Sequence, residues 1–230
     1  MDQSVQIVNS YAGADRLASQ QRVLRNTYWL LALSLLPTVL GAWIGVSTGI
    51  VAAMGPGISA ILFLAGAFGF MFAIEKTKDS AAGVGVLLAF TFFMGLMLSR
   101  LLAFVLGFKN GPSLVMTAFG GTALVFFGVA ALSSVVKRDL TNMGKFLFVG
   151  VLLLLVAGLV NLFVQSSALM LTISVLAIGI FSAFLLFDLK RIIDGGETNY
   201  ITATLAVYLD LFNIFQNLLM LLGIFGGDRE

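Results

Sequence analysis

The sequence predicts an all-α integral membrane protein with seven transmembrane helices. Three observations carry that prediction. The 230 residues are 60% hydrophobic and only 10% charged, with a mean hydropathy of +1.06, where a soluble domain carries about 25% charged residues. Two long stretches, 26–74 and 146–187, contain no charged residue. The 13 Lys and Arg residues gather in alternate loops, as the positive-inside rule demands of a chain that crosses the bilayer repeatedly.

Taken in order, residues 1–25 are polar, with Asp2, Asp15, Arg16, Arg22 and Arg25. They read as a cytoplasmic tail, helical in part near Leu17 to Leu24. The apolar run behind them starts too late and runs too long for a signal-peptide core. Residues 26–74 then supply about 50 uncharged positions, where one span needs about 20, so they hold two helices, at 27–46 and 54–74. Gly45 to Gly49 and Pro56-Gly57 bracket the turn between them. Gly41 and Gly45 form a small-xxx-small pair suited to close helix contact, and Pro37 is placed to kink the first helix.

Glu75-Lys76-Thr77-Lys78-Asp79 is a short charged loop. A third helix follows at 82–102, with Arg100 near its end as an interface anchor. The fourth lies at 113–136, beyond a loop from Gly107 to Pro112, and its Gly120-Gly121 pair reads as packing. The next uncharged stretch, of about 40 residues, again holds two spans, at 145–164 and 168–193. Gln165-Ser166-Ser167 is the turn between them. A seventh helix occupies 200–225. No linker divides the chain, so residues 26–230 form one seven-helix domain behind the 1–25 tail.

Seven spans with a cytoplasmic N-terminus place Arg16, Arg22, Arg25, Lys76, Lys78, Lys137, Arg138, Lys145, Lys190 and Arg191 on the cytoplasmic side. Only Arg100, Lys109 and Arg229 fall on the other. The 10-to-3 split sets the N-terminus inside and the C-terminus outside.

Composition also limits the chemistry. With no Cys and no His, disulfides, thiolate or histidine metal sites and Ser-His nucleophiles are excluded, and no enzyme activity is expected. The net charge of +2 is too small and dispersed for nucleic-acid binding. Proton chemistry falls to carboxylates, Lys or Tyr.

Two carboxylates lie in strongly apolar sequence, Asp188 and Asp210, on either side of the hinge from Asp194 to Asn199. An ionisable residue inside a membrane helix is costly and marks a functional site by default. Gly195-Gly196 suits a helix C-terminus, and Thr198 or Asn199 can cap the next helix. At about 1.5 Å per residue, Asp188 lies about 10 Å from the turn and Asp210 about 16 Å. A modest stagger brings them together. Close carboxylates in low dielectric cannot both ionise cheaply, so such a pair keeps one proton and titrates as a unit. Deprotonated, it repels itself or binds a cation, and hard oxygen ligands suit Ca²⁺. The bland alternative is that Lys190, Arg191, a Tyr208 hydroxyl or backbone satisfies each Asp separately. Asn213 falls near the Asp210 face and either extends a polar stripe or serves as interhelical glue.

GGETNYI at 195–201, GGTALVFF at 120–127 and VLRNTY at 23–28, together with the seven-span layout, resemble the Bax-inhibitor family of membrane proteins. Within it, the resemblance points to the bacterial members described as modulators of the FtsH membrane protease. The similarity runs from about Val23 to the C-terminus. It implies six helices around a central C-terminal seventh, the lipid bilayer and FtsH as partners, and a bacterial inner-membrane location. It also implies an alternative function, a pH-sensitive calcium or cation leak, in which paired aspartates form a latch. Asp188 and Asp210 match those positions and would be the pH-sensing, cation-binding residues, with Ca²⁺ bound or transported and no other cofactor. Where the family's channel has a latch-engaging arginine, this chain has Glu75-Lys76-Thr77-Lys78. Lys76 is the substitute partner, a point charge in place of a bidentate fork. An intramembrane aspartyl protease also sets Asp residues on adjacent helices. Here Val207-Tyr208-Leu209, not Gly-x-Gly, precedes Asp210, and no proline follows Pro112.

Overall fold

The computed structural model describes residues 3–138 and 140–227. Among them the chain is helical and contains no strand. The helices are α1 (Gln3–Thr48), α2 (Ile50–Ala53), α3 (Gly55–Thr77), α4 (Ala81–Leu106), α5 (Gly111–Val135), α6 (Thr141–Val164), α7 (Ser167–Ile193) and α8 (Tyr200–Gly226). All except the one-turn α2 are long and apolar enough to cross a membrane, which makes seven spans.

Two features differ from the sequence reading. The helix entering the first span does not begin near residue 27. It runs unbroken from Gln3 through Pro37 to Thr48. No proline precedes Pro37, and the stretch is rich in Gln, Ala, Leu and Arg, which favour helix. At about 1.5 Å per residue, 46 residues reach about 69 Å, roughly twice the hydrocarbon thickness, so α1 must extend well beyond the membrane. Trp29 and Trp43 are both exposed on it, about 21 Å apart along the axis, as interfacial tryptophans are. The second difference is α2, a single turn set between the left-handed Gly49 and Gly55. Four residues carry too short a periodicity to be seen in sequence.

The C-terminal helix α8 is the hub. It packs against α1, α3, α4, α5 and α7, while α6 packs on α7 at the outside. Ile201, Val207 and Ile214 of α8 are buried with Ile74, Leu87, Phe90, Leu185 and Leu189 of its neighbours, and Leu219 is buried with Val105, Leu114 and Ala118. Lipid tails are as apolar as these side chains, so burial alone does not drive helices together in a membrane. Close van der Waals packing and polar contacts must. At the α1–α4 seam a Cβ on Gly41 would stand 2.1 Å from the Phe92 carbonyl oxygen, and one on Gly95 would stand 2.0 Å from that of Thr38. The two backbones approach to a distance that admits only hydrogen at either position. Gly121 meets Leu218 of α8, whereas Gly120 faces open space. Arg100 is exposed at its end of the bundle.

The seam yields a stability test. Leucine at Gly95 must push two backbones apart, and such overpacking costs about 1–3 kcal/mol or more. Gly95→Leu should therefore lower the melting temperature in detergent by about 5 °C or more. Gly120→Leu, facing open space, should leave it unchanged or raise it. Equal melting of the two variants would show that the seam is not close-packed.

Candidate functional site

The site is built on the α7–α8 turn. Helix α7 stops because Gly195 adopts φ 78°, a conformation costly for any residue with a Cβ. The Gly196 N–H then donates to the Arg191 carbonyl at 2.8 Å and the Gly195 N–H to that of Ile192 at 3.1 Å, which satisfies carbonyls the helix end would leave bare. Helix α8 starts on Asn199, whose Oδ1 accepts from the N–H groups of Ile201 at 2.9 Å and Thr202 at 3.3 Å. The Asn199 amide also donates to the Lys78 carbonyl and to Asp79 Oδ1, both at 3.0 Å. One side chain thus caps α8 and ties its turn to the α3–α4 turn. On the other side, the Gln20 amide of α1 donates to the Asp194 carbonyl at 3.4 Å.

Inside this end of the bundle the Asp188 and Asp210 carboxyl groups come close enough for each to act on the other. Two carboxylates are both pure acceptors, so a hydrogen bond between them would require one proton. Asp210 is only 4% exposed, and its Oδ2 is buried without a hydrogen-bond partner. Asp188 is half-buried and borders a cavity of about 20 Å³ lined by Arg191, Ile192, Glu197, Ala203 and Ala206. That is room for about one water molecule or a small cation. Arg191 and Glu197 form an ion pair at 3.3 Å. Both charges are close enough to act on Asp188.

Of the separate-partner alternatives, Arg191 acts on Asp188 while paired with Glu197, and Lys190 and Tyr208 have partners elsewhere. Lys190 pairs with Asp194 one turn further along. The Tyr208 hydroxyl shares a 2.9 Å hydrogen bond with Thr38 Oγ1 on α1. The Asn213 amide donates to the Leu209 carbonyl of its own helix. Lys76 is exposed, its ammonium 5.4 Å from the centroid of the Phe72 ring, while its neighbour Lys78 pairs with Glu75. That hydrogen bond with Glu75 raises the Lys78 pKa above the usual lysine value.

Glu197 was not singled out from sequence. Its one signal is its place six residues beyond Arg191 across a glycine turn, too generic to predict an ion pair. No cluster of three or more His, Cys, Asp or Glu residues that could hold a metal exists among the described residues. Two carboxylates offer at most four oxygens, whereas Ca²⁺ takes six to eight. A Ca²⁺ at this pair would keep much of its water.

Fold and site together define a class: a seven-helix membrane bundle whose last two helices are joined by a buried carboxyl pair. The model of the family described as "Inhibitor of apoptosis-promoting Bax1" matches residues 20–227, and the chain belongs to that Bax-inhibitor family. It is 40% identical over 222 residues to the Modulator of FtsH protease YccA of Escherichia coli K12, covering 96% of this chain and 99% of the relative. The E. coli O6:H1 counterpart, with the same identity and coverage, is named Inner membrane protein YccA. An uncharacterized protein of Pseudomonas aeruginosa is 40% identical over 206 residues, 90% of each chain.

Two carboxyl groups this close should be energetically dependent. In a double-mutant cycle of Asp188→Asn and Asp210→Asn, followed by thermal unfolding in detergent, the effects should be non-additive by about 0.5–3 kcal/mol, as for residues in contact. Additive effects would mean that each carboxyl is held by separate partners.

Proposed function

We propose that this chain is an inner-membrane modulator of the FtsH membrane protease, in which Asp188 and Asp210 act as a protonation-dependent clamp between α7 and α8. The modulator reading is carried by the near full-length likeness to the E. coli protein of that name. The clamp is supported by the approach of the two carboxyl groups across the α7–α8 interface, with Asp210 buried. The basic residues support a cytoplasmic N-terminus, which offers residues 1–19 to a cytoplasmic protease and sets the C-terminus in the periplasm. Neither role asks the chain to catalyse a reaction.

A second reading is a pH-sensitive calcium or cation leak gated by the same pair. The observations favouring it are the buried Asp210 Oδ2 without a hydrogen-bond partner and a small cavity that Asp188 and Glu197 line. A cation passing here would meet carboxylate oxygens, the hard ligands that suit Ca²⁺. Its passage would need the clamp to open. The sign follows from the shared proton. At low pH the proton bridges the carboxyls and holds α7 on α8. As pH rises the proton leaves, the like charges repel, and closure is opposed.

Two measurements test these readings. Removing residues 1–19 should lengthen the protein's half-life in cells that contain FtsH and change nothing in cells that lack it. An unchanged half-life in both would count against the tail as the point of engagement, and against a cytoplasmic N-terminus offered to the protease. For the leak, Ca²⁺ flux through the protein in liposomes should rise with pH in the wild type. In Asp210→Asn, whose amide can still donate to Asp188 but cannot ionise, the pH response should flatten. Absence of Ca²⁺ flux at every pH would exclude the leak and leave the modulator.

A further inference from the structure

The outside of the bundle carries a groove that neither role uses. It lies between α6 and α7 at the end that holds the α7–α8 turn, has a volume of about 540 Å³, and is lined by Gly144, Lys145, Phe148, Val149, Phe184 and Phe187. Its floor is set by close packing: a Cβ on Gly144 would stand 2.7 Å from Cζ of Phe187. Its aromatic wall is ordered by the edge-on contact of Phe184 with Phe187, ring centroids 6.4 Å apart. Phe148 and Val149 are exposed, so the groove opens to the hydrocarbon.

One feature separates it from an ordinary lipid-facing surface. Lys145, only four residues beyond Thr141 at the start of α6, stands about 6 Å along the helix and places an ammonium at the groove's interfacial end. Lys137 and Arg138 are exposed in the segment just before α6. Among the described residues no carboxylate pairs with any of the three. Exposed cations beside an apolar slot between two helices match an amphiphile with a negative head and an apolar chain. Basic pockets between transmembrane helices select such headgroups. A neutral lipid would fill the slot and leave the cations unmatched.

We propose that the α6–α7 groove is a selective site for an anionic phospholipid, with its phosphate on Lys145 and one acyl chain along Phe148, Val149, Phe184 and Phe187. The site is independent of the aspartate pair and of either role proposed for it. The test is native mass spectrometry of the full chain released from detergent, titrated with phosphatidylglycerol or phosphatidylcholine of identical acyl chains. The wild type should retain phosphatidylglycerol in preference. Lys145→Gln should cut that preference about fivefold, the worth of one lysine near an anionic surface, and leave phosphatidylcholine retention unchanged. Val149→Trp, which fills the groove without touching a charge, should reduce retention of both lipids. Equal retention of the two lipids by the wild type, or an undiminished preference in Lys145→Gln, would overturn the proposal. So would protein dimers that Val149→Trp dissociates, since the groove would then receive a second copy of the chain.

Discussion

A bilayer offers a buried polar group no water and offers apolar side chains no gain from hiding among themselves. That double constraint explains why the architecture rests on few contacts. Backbone hydrogen bonds are satisfied inside each helix. What remains is to hold the helices in one arrangement, and the polar side chains that do so converge on α8. Asp210 meets Asp188 of α7, Tyr208 meets Thr38 of α1, and Asn199 meets the α3–α4 turn. Thr204 donates to the carbonyl of Tyr200, one turn back in its own helix, at 2.6 Å, and lies 3.4 Å from that of Thr27 on α1. A helix with so many buried partners can be displaced only by breaking several of them together.

Much of this was legible before any coordinates. Uncharged stretches measured against bilayer thickness located the spans, because the solvent imposes a length that sequence must obey. The glycine stop at Gly195 and the Asn199 cap were legible because both act through local backbone chemistry. The meeting of Asp188 and Asp210 was legible from depth: they lie about 10 Å and about 16 Å from one tight turn, a difference of about one helical turn that a modest stagger closes. What escaped was set by long-range geometry or by weak local signals. Lys76 is charged and stands where the resemblance implies a latch-engaging arginine, yet nothing local says whether its side chain reaches inward or lies near the Phe72 ring. Arg191 and Glu197 pair only because the turn between them folds back. The length of α1 was misjudged because the polar residues were read as a tail helical only near Leu17 to Leu24, when polarity says that a segment is wet and propensity says whether it is helical.

The same site serves two readings because its chemistry is common to both. In both proposals a proton shared by the two carboxyls would switch one point on the α7–α8 interface between an attractive and a repulsive contact. Whether that switch opens a path or alters a surface presented to a protease depends on what α7 carries with it. Its cavity, its Arg191–Glu197 pair and its packing against α6 all lie within a few turns of Asp188.

The uninterrupted α1 has a mechanical consequence. A flexible tether absorbs tension by straightening, and the domain behind it feels little until the slack is gone. Here there is no slack. The helix that begins at Gln3 is the same rod that carries Gly41 into the carbonyl of Phe92. Tension applied at its outer end is delivered along the axis to the tightest seam in the bundle, where the backbones interlock. Resistance to extraction then resides in shear between α1 and α4. The Gln20 contact with the α7–α8 turn gives the same rod a lateral bearing on the loop next to the aspartate pair.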